Sequence, residues 1–175
     1  MKAAVYVSFF VLLLLSGCSG KEKQSGVNLK VGMQSDGSIL VPSNQFLRPA
    51  GFQVYIPGRP VDLALTPDGK FLMVKNKDDL DLIRLSDRTV MQSLPFEKSG
   101  ASFTGICLSP DGNRVYVTDA EDRICIAVFD KNRVMQWKEP VRLPAPSIGN
   151  SPVPGGVALN EKGDELSVNI RVLFK

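Results

Sequence analysis

Three acidic side chains in one short segment are the residues best suited to hold a cation. Asp119, Glu121 and Asp122 lie close together in the sequence, and carboxylate oxygens are the ligands that a hard ion such as Ca²⁺ prefers. The segment has no fixed series of oxygen ligands, so it also fits a solvated hairpin loop, which is the interpretation we favour. Arg59, directly before Pro60, could bind an anion in a channel or pair with a neighbouring acid.

Histidine is absent from the whole sequence. This excludes Ser-His-Asp and Cys-His catalytic arrangements, and histidine ligation of zinc or haem, within this chain. Cys107 and Cys125 are expected on strands separated by a third strand, about 9.6 Å apart and beyond ordinary disulfide reach. An oxidising compartment would favour their pairing, but the spacing favours two buried thiols. We therefore predict no catalytic, cofactor-binding or metal-binding residue.

The charge of the chain is nearly balanced, with 21 basic and 18 acidic residues. Nucleic-acid binding needs a concentrated basic face, so nucleic acid is not expected as a partner. The basic run at 75–77 and the acidic run at 78–81 are expected to neutralise one another in a solvated loop. Trp137 is expected as a packed, half-exposed aromatic side chain, with contact to a partner protein as the alternative.

A ten-residue phrase is repeated along the chain. "LTPDGKFLMV" at 65–74 recurs as "LSPDGNRVYV" at 108–117 and, less closely, as "LNEKGDELSV" at 159–168. Apolar alternation on either side predicts two strands, and Pro-Asp-Gly between them predicts a type I turn followed by a residue with positive φ. The residues that carry this turn are Pro67, Asp68, Gly69, Pro110, Asp111, Gly112 and Gly163.

Each copy of the phrase is followed by further short strands. Apolar runs at 79–85 and 123–129, and then at 89–94 and 134–143, give four strands in about 40 to 50 residues. That spacing is typical of a blade of a β-propeller, a four-stranded antiparallel sheet. We therefore predict an all-β fold of about three blades, the last unfinished. Because a closed ring needs at least about four blades, the open edges should require a protein partner or the missing blades.

The N-terminus has the features of a secretory signal. Lys2 precedes the apolar segment "AAVYVSFFVLLLL", which is short for a membrane-spanning helix. The following "LSGC" resembles the lipobox of bacterial lipoproteins, which implies cleavage before Cys18 and a diacylglycerol on its thiol; the alternative is an ordinary signal with an incidental cysteine. We predict a signal-peptide helix at 1–17, a lipidated tether at 18–26 and a partial propeller at 27–175, held at the cell envelope. By the same resemblance, Ser19 implies the outer membrane.

The blades resemble a known repeat family. "RPVDLALTPDGKFLMVKN" and "FTGICLSPDGNRVYVTDAEDRICIAVFD" are similar to blades of the YVTN-type, YncE-like propellers. The segment from 27 to 65 resembles the start of secreted bacterial proteins that join such a propeller to an alkaline-phosphatase-type phosphoesterase. The resemblance implies further blades and a metal-binding domain that this sequence does not contain.

Three functions remain open from the sequence. The first is a non-catalytic propeller segment at the envelope that binds a protein or ligand. The second is the front end of a propeller–phosphoesterase, or a lactonase-like propeller hydrolase. The third is a decayed fragment without function. The repeat pattern decides the scaffold and leaves the ligand undecided, because function on a propeller resides in its loops and faces.

Overall fold

The computed structural model describes residues 30–97, 101–148 and 151–173. The chain divides into two units, Met1–Phe52 and Gln53–Lys175. The predicted signal helix, Cys18 and the tether lie outside the described residues. Regular structure in the described residues is entirely β, and no helix there is long and apolar enough to cross a membrane.

The first unit contains a small antiparallel sheet. Its strands are β1 (Gly32–Met33), β2 (Ile39–Leu40) and β3 (Phe46–Leu47), with β2 in the centre. Arg48 Nη2 lies 2.8 Å from Asp36 Oδ2 across this sheet.

The second unit begins with a four-stranded antiparallel sheet, called sheet 1. Its strands are β4 (Pro60–Leu65), β5 (Phe71–Asn76), β6 (Asp79–Arg84) and β7 (Thr89–Pro95), paired in chain order. The returning strand β5 and the strands from the apolar runs at 79–85 and 89–94 therefore lie where the sequence predicts them.

The repeat continues in two more sheets. Sheet 2 contains β8 (Ala101–Leu108), β9 (Arg114–Asp119), β10 (Arg123–Phe129) and β11 (Met135–Arg142), again paired in chain order. Sheet 3 is the hairpin of β12 (Ser151–Leu159) and β13 (Leu166–Leu173). The prediction of an all-β incomplete propeller is confirmed.

The three repeated turns have one backbone geometry. Gly69, Gly112 and Gly163 have φ of 66°, 67° and 75°, and each donates its N–H to the carbonyl three residues earlier at 2.8, 2.8 and 3.0 Å. In the first turn Asp68 Oδ1 accepts from the Thr66 hydroxyl at 2.6 Å. The third turn lacks Pro and Asp but keeps glycine, because only glycine takes positive φ without steric cost.

The apolar core lies between sheets 1 and 2. Alternate residues of each strand point to opposite faces, and sheet 2 packs one face against sheet 1 and the other against sheet 3. The buried cluster is formed by Met73, Leu80 and Leu82 of sheet 1 and by Ile106, Val115, Val117, Ala127 and Met135 of sheet 2.

Replacement of Gly69 by valine should lower the free energy of unfolding by about 1 kcal/mol or more, because a β-branched residue tolerates positive φ poorly. A Cβ at Gly69 would meet no atom within 4 Å, so the loss reports backbone strain alone. Gly69→Asn is the control and should cost less, since asparagine enters this region more readily. Urea unfolding measures both; equal losses for Val and Asn would contradict the turn geometry.

Candidate functional site

The first strands of the three sheets form the inner edge of the second unit. Strand β8 lies between β4 and β12. Each of these strands has a register shift near its start, between Pro60 and Asp62, Ala101 and Ile106, and Pro154 and Val157. A bulge interrupts the ladder of backbone hydrogen bonds, so carbonyl groups within it can accept hydrogen bonds from a neighbouring sheet.

Lys75 of sheet 1 reaches into the bulge of sheet 2. Its ammonium group donates to Thr104 O at 2.6 Å and to Thr118 Oγ1 at 3.1 Å, and it lies 3.4 Å from Gly105 O. The residue is fully buried. Burial lowers the pKa of Lys75 to about 8, while the nearby Asp62 carboxylate opposes this shift.

Thr118 repeats the contact one sheet further on. Its hydroxyl accepts from Lys75 and shares its single hydrogen between Thr104 O at 2.6 Å and Gly155 O at 2.9 Å. Lys75 and Thr118 each lie six residues after the glycine of their turn, and Thr104 and Gly155 each lie eight residues before theirs. We call this repeated side-chain-to-carbonyl contact the inter-sheet clasp.

A glycine allows the sheets to approach at the clasp. The N–H of Gly105 donates to Asp62 Oδ2 of sheet 1 at 2.7 Å. A Cβ on Gly105 would lie 2.1 Å from Gly155 O and 2.3 Å from Thr118 Oγ1. Gly105, with φ of 105°, therefore touches all three sheets, and no larger residue would fit.

Within the acidic segment, Asp119 is buried and forms structural contacts, whereas Glu121 is exposed. Asp119 is fully buried, accepts from Arg123 Nε at 2.6 Å and also accepts the backbone N–H groups of Glu121 and Arg123. Asp122 lies 3.6 Å from the Arg142 guanidinium. The expectation of a solvated hairpin is thus wrong for Asp119. Within the described ranges, no three His, Cys, Asp or Glu side chains are arranged to hold a metal ion.

Arg59 and Trp137 are the two residues considered as ligand contacts. Arg59 is exposed, and its backbone N–H donates to Asn76 Oδ1 at 2.6 Å. Trp137 is half-buried, stacks on Phe96 with 5.2 Å between ring centroids and donates its indole N–H to Pro95 O at 2.7 Å. Trp137 is therefore a packed, half-exposed aromatic side chain, as expected from the sequence.

The two cysteines are free, half-buried thiols. Burial raises the pKa of Cys107 to about 11 and that of Cys125 to about 11, with Asp119 adding to the effect at Cys125. Both thiols are therefore protonated at neutral pH and are weak nucleophiles.

The expectation of a solvated, self-neutralising charge run at 75–81 is wrong. Lys75 and Asp81 are fully buried within strands, and Asp81 accepts a hydrogen bond from the Ser93 hydroxyl. Burial raises the pKa of Asp79, and the neighbouring Asp81 raises it further. The expectation holds within this run for Lys77 and Asp78, which are exposed and lie 4.0 Å apart. The sequence position of Lys75 could have identified it as buried. It lies two residues after Met73 in β5, and residues two apart share one face of a strand, here the core-facing one.

Comparison with known proteins identifies similarity in fold only. No protein-family model matches this sequence, and no curated protein matches it significantly. Among solved structures, a Lactobacillus plantarum protein is 18% identical with a TM-score of 0.58, over 77% of this chain and 43% of its own. The Pseudomonas aeruginosa periplasmic gluconolactonase is 18% identical with a TM-score of 0.53, over 80% of this chain and 42% of its own.

A putative 6-phosphogluconolactonase from Bacteroides fragilis gives a similar result. It is 24% identical with a TM-score of 0.53, over 67% of this chain and 33% of its own. The chain thus spans a third to about two fifths of these three proteins. At such identities the likeness concerns the fold alone, and it is consistent with a β-propeller.

Replacement of Lys75 by methionine should remove the contribution of this residue to the pH dependence of stability. With a folded pKa of about 8 and an ordinary value of 10.5, the folded state binds fewer protons between these values. Lys75 therefore makes a contribution to stability that rises as pH increases from about 8 to 10.5, while Cys107 and Cys125, whose pKa values are raised to about 11, contribute in the opposite direction. Urea unfolding at several pH values across this range should show that the free energy of unfolding of Lys75→Met rises less, or falls more, with pH than that of the wild type. The exposed Lys77→Met is the control and should keep the wild-type slope; equal slopes for both variants would contradict the buried ammonium.

Proposed function

We propose that this chain is a lipid-anchored segment of a YVTN-type propeller at the bacterial cell envelope, and that it acts by binding rather than by catalysis. The observation that carries the proposal is that ionisable groups along the inner edge of the sheets form structural contacts. Lys75 and Asp119 are both fully buried.

The ionisable groups along the inner edge hold the sheets together, which supports binding rather than catalysis as the function. Asp62 and Lys75 hold sheet 1 to sheet 2, and Asp119 holds Arg123 in a buried ion pair. A general acid or base must be within reach of a substrate, and these groups are engaged in contacts between or within sheets.

The proposed location rests on the N-terminal sequence. Lys2, the apolar segment after it and the lipobox-like "LSGC" ending at Cys18 have the arrangement of a lipoprotein signal. The polar residues that follow would connect the lipid to the propeller as a flexible tether. A binding module held this way would work at the membrane surface.

Substitution of Cys18 by alanine should release the protein from the membrane, because the thiol is the proposed attachment point of the lipid. Membrane fractionation measures the distribution, and mass spectrometry of the wild-type protein should show a diacylglyceryl group on an N-terminal Cys18. Cys107→Ala, which removes a half-buried thiol, is the control and should remain in the membrane. An unmodified wild-type protein in the soluble fraction would overturn the anchor.

A hydrolase is the second candidate. Two of the similar structures carry lactonase names, a periplasmic gluconolactonase and a putative 6-phosphogluconolactonase, which favours a lactonase-like propeller over other enzymes. The resemblance of residues 27–65 to propeller–phosphoesterase fusions favours, alternatively, the front end of such a fusion.

The binding proposal predicts no turnover of lactones or phosphoesters by the mature chain. Hydrolysis of gluconolactone and 6-phosphogluconolactone can be followed by proton release, and hydrolysis of p-nitrophenyl phosphate by absorbance with added Zn²⁺ or Mg²⁺. Rates should equal those of buffer alone. Lactone turnover that co-purifies with the wild-type protein would favour the lactonase-like reading, and metal-dependent phosphatase activity would favour the phosphoesterase reading.

A further inference from the structure

Strand β6 carries two acidic side chains on one face of sheet 1. Asp79 and Asp81 are two residues apart in the strand, so their side chains point to the same side. Leu80 and Leu82, which alternate with them, belong to the core between sheets 1 and 2. The two carboxyl groups are therefore neighbours on the face of sheet 1 that lies away from sheet 2.

One oxygen of each carboxyl group is buried without a hydrogen-bond partner. Asp81 is fully buried, and its Oδ1 accepts a hydrogen bond from the Ser93 hydroxyl. Within the part of the chain that the structure describes, no group donates to Asp81 Oδ2 or to Asp79 Oδ1. Native proteins rarely leave a buried oxygen without a partner, so two such atoms on neighbouring carboxyl groups require a physical explanation.

The groups that surround the two carboxyl groups are acidic or neutral. The charged groups that act most strongly on Asp79 are Asp81 and Asp78. The basic side chains of Arg59 and Lys77, at nearby positions, are exposed to solvent. The residues paired with Asp79 and Asp81 in the adjacent strands are neutral: Val74 of β5, and Ser93 and Pro95 of β7. Two neighbouring carboxyl groups that are partly removed from water favour the uptake of a proton.

Asn76 connects this site to the segment that precedes β4. Its side chain acts on Asp79 as a hydrogen-bond donor, donates to Pro57 O and accepts from Arg59 N at 2.6 Å. A Cβ on Gly58 would lie 2.8 Å from the Asn76 amide group, so the segment lies close against it. A change at Asp79 therefore reaches this segment through a single buried side chain.

We propose that Asp79 and Asp81 share one proton, and that this acid pair makes the stability of sheet 1 depend on pH. A hydrogen on Asp79 Oδ1 that is donated to Asp81 Oδ2 gives both oxygens a partner through one bond. It also leaves the pair with one negative charge. When the proton is lost, two buried carboxylates repel each other beside the turn between β5 and β6. The proposal goes beyond the proposed binding function and does not depend on it.

The pH dependence has a definite sign. Burial and, after it, the Asp81 carboxylate raise the pKa of Asp79 above its ordinary value of 3.8. The contribution of the pair to stability is therefore complete below pH 3.8 and is lost as pH rises through the raised pKa. Carboxyl groups with lowered pKa values, such as Asp68, Asp87 and Asp111, contribute in the opposite direction. Only differences between variants therefore isolate the pair.

Urea unfolding of the mature protein in detergent, at several pH values between about 4 and 7, tests the pair. Asp79→Asn gives Asp81 Oδ2 an amide donor that has no proton to lose. Relative to the wild type, the free energy of unfolding of this variant should rise with pH, and its urea midpoint near neutral pH should be higher. Asp78→Asn is the charge-matched control, because Asp78 is exposed; its curve should follow the wild type.

Asp81→Asn tests whether one proton belongs to both residues. Asparagine at this position can accept from the Ser93 hydroxyl through its oxygen and donate to Asp79 through its nitrogen. This variant should therefore lose most of the same pH dependence. Combining it with Asp79→Asn should remove little more, because a shared proton can be removed only once. Additive effects of the two substitutions would indicate independent carboxyl groups and would contradict the proposal.

Carboxyl ¹³C NMR measures protonation directly. In the wild type, the Asp79 and Asp81 signals should respond to the same titration step, because coupled groups titrate as a pair. In Asp81→Asn, the midpoint of the Asp79 titration should fall, since a neighbouring negative charge has been removed. Separate titration of the two groups at or below pH 3.8, or equal unfolding curves for Asp79→Asn and Asp78→Asn, would overturn the shared proton.

A bound cation is the other way to neutralise two buried carboxylates. The shared proton predicts that added CaCl₂ leaves the wild-type urea midpoint unchanged. A rise with CaCl₂ that is absent in Asp79→Asn would assign the pair to a cation and would overturn the proposal. These measurements concern protonation and unfolding, so their failure leaves the membrane anchor and the absence of hydrolysis to be decided by fractionation and turnover assays.

Discussion

The buried ammonium group of Lys75 is the contact on which the arrangement of the sheets depends. Removing a charge from water is costly unless the charge is fully hydrogen-bonded, and here the bulged strand β8 and the Thr118 hydroxyl supply the acceptors. The bulge frees the carbonyl, and Gly105 lets the strands approach closely enough for the bond. A shift in any one of these features would leave a buried charge without its partners.

Away from the inner edge, a cation–π contact and amide hydrogen bonds stabilise the interface between sheets 1 and 2. The Arg133 guanidinium lies 5.5 Å from the ring centre of Phe71 and 5.3 Å from that of Phe129, a cation–π arrangement between sheets. At the outer strands, the Gln92 amide donates to Met135 O at 2.9 Å and accepts from Met135 N at 2.7 Å. Polar contacts thus flank the apolar core and fix the position of sheet 2 on sheet 1.

The ionisable groups of the inner edge stabilise the packing of the sheets. Asp119 and Arg123 form a buried ion pair inside sheet 2, and the Lys75 ammonium group of sheet 1 donates to the Thr104 carbonyl of sheet 2. Each repeat thus contacts its neighbour through groups of its own, as in other repeat proteins.

The repeated turn phrase was sufficient to predict the all-β class, the four-stranded unit and the positive φ at Gly69 and Gly112, because turn chemistry and strand alternation are local properties. The sequence alone also excluded histidine chemistry. Only the tertiary structure decided that Lys75 and Asp119 are buried, since burial depends on which sheet packs against each strand and not on the charge of the neighbouring residues. The clasp joins residues about 30 to 40 positions apart through a backbone carbonyl, a group that every residue carries, so no side-chain motif could have revealed it.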